Sequence, residues 1–589
     1  MVAVRGDVRT YLSDGAPPLR MRLSGAVVSG PLSWSGITSF VAFGGIAGAA
    51  LLFTFILLGR PPISPPTPTG VSVFCALVTL SLWCVAGETW VLARRFRHTQ
   101  SEMRFVVLGG YVPLVLAWPL VAVLYQPEVH HWFTFVDSVR PAMVLTIALP
   151  TLALKAAAIL FLARHCTVDW AWRYRFVLAG LGYAAAALAA KPSLWHLDLA
   201  GWFVPAARLV LAGRPLEMYS VRADVMGTAA PLEHGPLTVL FYAPFVALAE
   251  VAGSTDFLRL GALFPLLGIL AIDCLMAYQV TRAIHDIAPD VSESQLFGIA
   301  VLVLFSPLLW FSSVWLVHLE SLNALLVIGA VRLLGRQRGL PAGLCLGAAM
   351  LLKHSAALAA GPLLLALFLL GSRGLAMRAG ATAAAVTVLG LLPFALGGAD
   401  DFHFNFAGYD SIKPIYGLTI WKAAYDSGIE PLIMRLDSVL IATLALANAA
   451  GAALFLRTRG VDARCVCWIA VVLGQIAWLG LATWQYPHYF VLGFVALLIW
   501  ESATVKSNMP VLSLLFLFVP YNLQSHFPSN VGKAGGAFVV ARATAQLLFL
   551  YGCAVTIWLR AARTPQPLAQ LPAFPTPSAP HGAPLRHLA

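Results

Sequence analysis

The chain has 589 residues, of which 59% are hydrophobic and only 11% charged, with a mean hydropathy of +0.81. Soluble domains carry about 25% charged residues, so this composition excludes a water-facing globule and leaves a bundle of membrane helices. The formal charge of +12 resides mostly in short Arg-bearing loops between apolar runs, which reports orientation in a bilayer rather than a nucleic-acid partner.

A membrane span needs roughly 20 apolar residues. The candidates begin with 37–58, 71–93, 105–125, 142–163 and 176–190. They continue with 260–281, 297–315, 316–334, 339–352, 356–371 and 380–397. The last are 437–456, 465–482, 489–503, 509–525 and 535–559. This pattern predicts an all-α, polytopic transmembrane bundle with about sixteen crossings. The run from residue 37 is too long for a cleaved signal peptide and reads as an uncleaved helix. The runs 339–352 and 356–371 are short for independent spans and are expected as half-helices buried against protein. The run 238–252 opens at Gly235-Pro236 and is also short, which predicts an interfacial or re-entrant helix.

Lys and Arg in the loops set the orientation. Arg5, Arg9, Arg20 and Arg22 precede the first span, and Arg94, Arg95, Arg97 and Arg104 follow the second. Arg164, Arg173 and Arg175 follow the fourth; Arg332, Arg336 and Arg338 form a later cluster, and Arg457, Arg459 and Arg464 another. Placing all of these in the cytoplasm puts both termini there too. The resulting organisation is a cytoplasmic segment 1–36, a four-helix module 37–165, a core 166–503 with outer loops 191–237 and 398–436, C-terminal helices 504–563, and a Pro-rich disordered tail 564–589. The eight cysteines lie mainly in apolar runs, and the Cys465/Cys467 pair has no matching second pair, so neither a zinc site nor a disulfide frame is assigned.

On this topology, polar residues collect on the non-cytoplasmic side. The first outer loop holds Lys191, His196, Asp198, Arg208, Glu217, Arg222, Glu233 and His234; the second holds His403, Asn405, Asp410, Lys413 and Lys422. His318 and Glu320 sit at an outer junction of two spans, Lys353 and His354 at an outer turn, and Trp484-Gln485-Tyr486-Pro487-His488 at another. Ionisable groups at membrane depth are costly and tend to mark sites. Each also has a plainer reading, because a His or Lys at a helix end commonly serves as a snorkelling anchor. Lys155, Asp273 and Glu88 are read as structural groups within spans.

From Phe176 to about Trp500 the chain resembles the GT-C fold of membrane glycosyltransferases that use polyprenyl-phosphate sugars. It is similar to the endoplasmic-reticulum dolichyl-phosphate-glucose glucosyltransferases and to bacterial polyprenyl-phosphate mannosyl- and arabinofuranosyltransferases. Asp198 falls where such enzymes carry an Asp early in the first outer loop. Glu233-His234-Gly235-Pro236-Leu237 takes the place of the Tyr-Pro-Pro-like step that opens an apolar helix. His318-Leu319-Glu320-Ser321-Leu322-Asn323 stands at the His-Phe-Gln-Tyr-Asn turn, with only the His retained, and Lys353-His354 matches the Lys-Gln or Lys-His turn. Ala407-Gly408-Tyr409-Asp410 lacks the Arg of the corresponding stretch, and Gln485-Tyr486-Pro487-His488 keeps only the His of a Val-His-Glu-Lys turn. The four helices before residue 165 lie outside the pattern.

The resemblance implies sugar transfer from a polyprenyl-phosphate-linked donor to a hydroxyl of a lipid or glycan acceptor, in contact with membrane lipids. The Ala/Gly-rich, Arg-biased composition fits a bacterial plasma membrane, with the site facing the periplasm or exterior. Asp198 would be the base of an inverting displacement. Lys353, with His354 or Lys413, would bind the donor phosphate, and His318, Glu320 and His488 would contact sugar or phosphate. His196, Glu233, His234, Asp410 and Gln485 are secondary candidates. The scheme requires no metal and assigns no metal ligands, although the outer-loop Asp, Glu and His side chains are compatible with a divalent cation. A transporter or flippase of lipid-linked sugars is the alternative, and it predicts two repeated halves with polar groups at mid-membrane.

Overall fold

A computed structural model of the chain describes residues 173–190, 198–225, 228–258, 260–304, 306–405, 419–421, 429–483, 485–504, 510–517 and 537–563. The expected N-terminal module, the Pro-rich tail, and His196, Asp410, Lys413 and Lys422 lie outside the described residues. The chain divides into two compact units, Met1–Ser193 and Leu194–Ala589. Helix α1 (Arg175–Ala190) belongs to the first.

The described residues of the second unit are mostly helical. A π turn (Leu199–Phe203) runs into α2 (Val204–Leu211). A hairpin of β1 (Arg222–Val225) and β2 (Thr228–Pro231) then pairs Arg222 with Pro231 and Val225 with Thr228. This hairpin departs from the all-α expectation. Its polar and small residues lack the apolar stretch a helix would need for burial.

Helix α3 (Pro236–Val251) follows, with Pro at its first turn where a missing N–H costs nothing. At 16 residues it is about 24 Å long, short of a bilayer core, in keeping with the short element predicted at 238–252. The long helices are α4 (Leu263–Ile287), α9 (Arg373–Gly397), α10 (Glu430–Thr458), α11 (Ala463–Leu481) and α13 (Ala537–Arg563). Between them lie α5 (Glu293–Leu304), α6 (Glu320–Gly335), α7 (Gly339–Leu352), α8 (Ala357–Leu369) and, before α13, α12 (Val491–Thr504). Five helices among the described residues are long and apolar enough to cross a membrane: Leu260–Ile287, Arg373–Gly397, Leu436–Thr458, Ala463–Leu481 and Ala543–Ala562.

Burial separates central from peripheral helices. Along α11 the run Cys465 to Ala477 is buried on every face, as is Val491 to Glu501 in α12, so these two form the packed centre. Gly474 lets α11 approach α8: a Cβ there would lie 2.0 Å from the Leu358 carbonyl oxygen. By contrast, α9 exposes Met377, Val388, Leu389 and Leu396, and α13 exposes Leu548, Val555 and Leu559. Such apolar outer faces suit lipid rather than water.

Two expectations need correction. The runs 297–315 and 316–334 are not two plain helices: α5 stops at Leu304, a π turn spans Trp310–Trp315, and α6 starts only at Glu320. The short helices α7 and α8 are not wholly enclosed, since Leu340 and Leu344 on α7 are 59% and 53% exposed. Four residues apart, these side chains share one face, and α9 packs against the adjoining flank at Gly343 and Gly347.

Arginines gather at one end of the unit. Arg332 Nε donates to Asp286 Oδ2 at 2.7 Å and Arg464 Nη1 to the Asp286 carbonyl at 2.5 Å, joining the ends of α4 and α6 to the start of α11. Glu320 begins the same helix that Arg332 closes, about 18 Å away along its axis. The two Arg clusters of this unit therefore lie opposite the end that carries His318, Glu320 and Lys353.

Candidate functional site

Four chain breaks build the site. The first is at Asp198. Its neighbour Leu199 opens a turn in which the Val204 N–H reaches back to the Leu199 carbonyl, the wide repeat of a π-helix. Residues five apart then share a face, so Asp198 and Phe203 both meet the His318 imidazole. Asp198 Oδ2 lies 2.9 Å from His318 Nε2, and the Phe203 ring stands edge-on 5.5 Å away. The His318 side chain is only 5% exposed, while Asp198 retains 30% exposure.

The second break is at 316–319. Val317 has φ 55°, a left-handed conformation that a β-branched residue adopts only at a cost of roughly 1–3 kcal/mol. Two contacts enforce it: the Tyr242 hydroxyl donates to the Val317 carbonyl, and the His318 N–H donates to the Ser312 carbonyl at 2.9 Å. The result turns His318 inward and starts α6 at Glu320.

The third break separates α7 from α8. Lys353 is extended (φ −151°, ψ 123°) and ends α7, and its Nζ forms an ion pair with Glu320. That Nζ also lies 4.0 Å from the centroid of the Tyr489 ring and 6.0 Å from that of Trp478. The chain before α3 docks here through Gly235, whose N–H donates to the Leu352 carbonyl at 3.0 Å, and Thr238 Oγ1 donates to the same oxygen at 2.9 Å. A side chain at 235 could not fit, since its Cβ would lie 1.9 Å from the Leu351 carbonyl oxygen. This close approach brings His234 to within 5.5 Å of His318, ring to ring.

The fourth break is Pro487–Phe490, a 3-10 turn that carries His488 and Tyr489 into the cluster. The His488 ring lies 4.9 Å from His318 and 4.5 Å from Tyr489. Burial, reinforced by the positive potentials of His318, Lys353 and His234, pushes His488 well below its ordinary range and keeps it neutral. Lys353 and two further imidazoles thus bear on the His488 ring.

The structure therefore brings together Asp198, His318, Glu320, Lys353, His488 and His234. His354 points elsewhere: it is exposed, on the turn after Lys353. Gln485 serves the scaffold, its amide donating to the Leu479 carbonyl at 2.7 Å and accepting from Gln546 Nε2 at 2.7 Å. Asn405 also has a structural duty, donating to the Tyr219 and Leu232 carbonyls at 3.0 and 3.3 Å, while Arg222 bonds Asp401 at 2.7 Å between the two predicted outer loops. Asp273 accepts from Ser313 Oγ at 3.0 Å between helices, as a structural group would.

Tyr489, Trp478, Tyr242 and Phe203 escaped sequence reasoning. At their spacing they look like core aromatics, and Phe203 and Tyr242, stacked at 4.7 Å, are core as well. Only the position of Tyr489 beside His488 marked it. The Ser312 Oγ, His318 Nδ1, Ser321 Oγ and Asn323 Oδ1 atoms are all buried without a hydrogen-bond partner, a concentration that calls for a ligand, an ion or water. His318, Glu320 and His488 each offer a ligand atom within 4.8 Å of the others. Comparisons with protein-family models, with curated proteins and with solved structures gave no match.

Proposed function

We propose that this chain is a membrane glycosyltransferase that moves a sugar from a polyprenyl-phosphate-linked donor to an acceptor hydroxyl on the non-cytoplasmic face, with inversion. One observation carries the reading: a half-open carboxylate, Asp198, and a buried ammonium, Lys353, lie in one cluster at the end of the unit opposite its arginines. The acceptor oxygen attacks the anomeric carbon and its proton passes to Asp198. The bond from that carbon to the phosphate oxygen breaks, and the phosphate leaves with the electron pair. Lys353 offsets the developing negative charge, exchanging the Glu320 carboxylate for a phosphate oxygen. His318 keeps the Asp198 carboxylate oriented.

The test is chemical. Membranes containing the chain are incubated with radiolabelled polyprenyl-phosphate mannose, glucose and arabinofuranose. A labelled lipid or glycan product that needs the chain supports transfer. Movement of intact labelled donor across the membrane without a new product supports the carrier alternative instead.

A further inference from the structure

We propose that His318, Glu320 and His488 bind a single transition-metal dication, and that their ligand chemistry favours Zn2+. One ligand atom from each of these buried side chains lies within 4.8 Å of the other two. Metal–ligand bonds of about 2.0–2.2 Å place tetrahedral ligands roughly 3.3 Å apart, so side-chain shifts of about 1 Å complete the coordination. Two imidazoles with one carboxylate suit zinc, and three protein ligands leave a fourth position open to water or a phosphate oxygen.

The wiring of His318 points the same way. In the neutral form that a metal would bind, His318 would donate from Nε2 to Asp198 Oδ2, 2.9 Å away, and leave its lone pair on Nδ1. That Nδ1 is buried and has no hydrogen-bond partner. A carboxylate fixing the far nitrogen of a ligating imidazole is the usual support of a metal-bound histidine.

Lys353 opposes the ion, because its ammonium occupies the Glu320 carboxylate. The Tyr489 ring, 4.0 Å from Nζ, gives that ammonium a second place to rest when the metal arrives. Ion and lysine therefore compete for Glu320. This inference shares residues with the transfer reaction proposed above but is read without it.

The full chain, purified in lipid nanodiscs and stripped with a chelator, is titrated with Zn2+ and with Co2+. One equivalent of bound Zn2+ and an intense tetrahedral Co2+ absorption are expected. His318→Ala, Glu320→Gln and His488→Ala should abolish both, and Asp198→Asn should weaken affinity about 10–100-fold. His403→Ala, at an exposed position, should leave both unchanged. Lys353→Met should tighten binding, a gain that misfolding does not produce. Wild-type chain that takes up no stoichiometric zinc, binding that survives all three ligand changes, or a Lys353→Met variant that binds more weakly would overturn the site. Since transfer activity is not the readout, that result would leave the glycosyltransferase reading standing.

Discussion

Removing either partner of the Lys353–Glu320 pair should cost far more stability than removing both. The side chains are 11% and 8% exposed, so each substitution leaves the other charge in a water-poor setting. Breaking a buried pair from one side costs about 3–5 kcal/mol, whereas replacing both partners with neutral groups of similar size is often close to neutral. The lysine has a partial refuge over Tyr489, with a cation–π contact of about 0.5–2 kcal/mol, so Glu320→Gln should sit at the lower end of that range. Lys353→Met strands the Glu320 carboxylate beside Asp198 and Glu233 and should sit at the upper end. One kcal/mol moves the melting temperature about 2–4 °C in a domain of 150–250 residues and less in a longer chain, so each single variant should melt several degrees early. The assay is thermal unfolding in one detergent for wild type, both single variants and the double variant Glu320→Gln/Lys353→Met. A double variant that melts above both single variants supports the pair. Additive losses, or single variants that melt with wild type, would refute the reasoning.

Gly235→Ala should destabilise the chain by more than the roughly 1–3 kcal/mol of ordinary overpacking, because the new Cβ meets a backbone oxygen rather than a movable side chain; melting temperature measures it. Tyr242→Phe strips the Val317 carbonyl of its donor and should cost about 1–3 kcal/mol, with a matching fall in transfer as His318 loses its placement. The depressed His488 titration sets a pH dependence of stability. The unfolded chain takes up a proton near pH 6.5 and the folded chain does not, so stability is complete above about 6.5 and falls as pH drops, by up to about 1.4 kcal/mol per pH unit. Melting curves at pH 7.5 and 5.5 should show this loss, and His488→Gln should reduce it.

Much of the helical scaffold is legible because apolarity over a helical length is a strong signal. The prediction of 339–352 matches α7 residue for residue, and 465–482 differs from α11 by two residues at its start and one at its end. The break between α5 and α6 was only partly marked. The runs 297–315 and 316–334 meet near His318 and Glu320, but the kink depends on Tyr242 and Ser312 contacts that hydropathy does not contain. Charged candidates were visible for the opposite reason: in a chain with so few ionisable groups, Asp198, Glu320 and Lys353 stand out. Their pairing was not visible, since Asp198 meets His318 and Lys353 meets Glu320 only through contacts between residues far apart in sequence. Gln485 misled because a polar residue in an apolar turn looks the same whether it faces a ligand or bonds backbone carbonyls.

Asp198 bears the central claim, and turnover of Asp198→Asn tests it most directly. The variant and wild type would be compared in sealed vesicles with the donor that labels product, alongside melting curves that establish equal folding. Loss of a positioned base predicts a fall of about 10²–10⁴-fold with the fold intact. Turnover above about a tenth of wild type would contradict the assignment of Asp198 as the group that takes the acceptor proton.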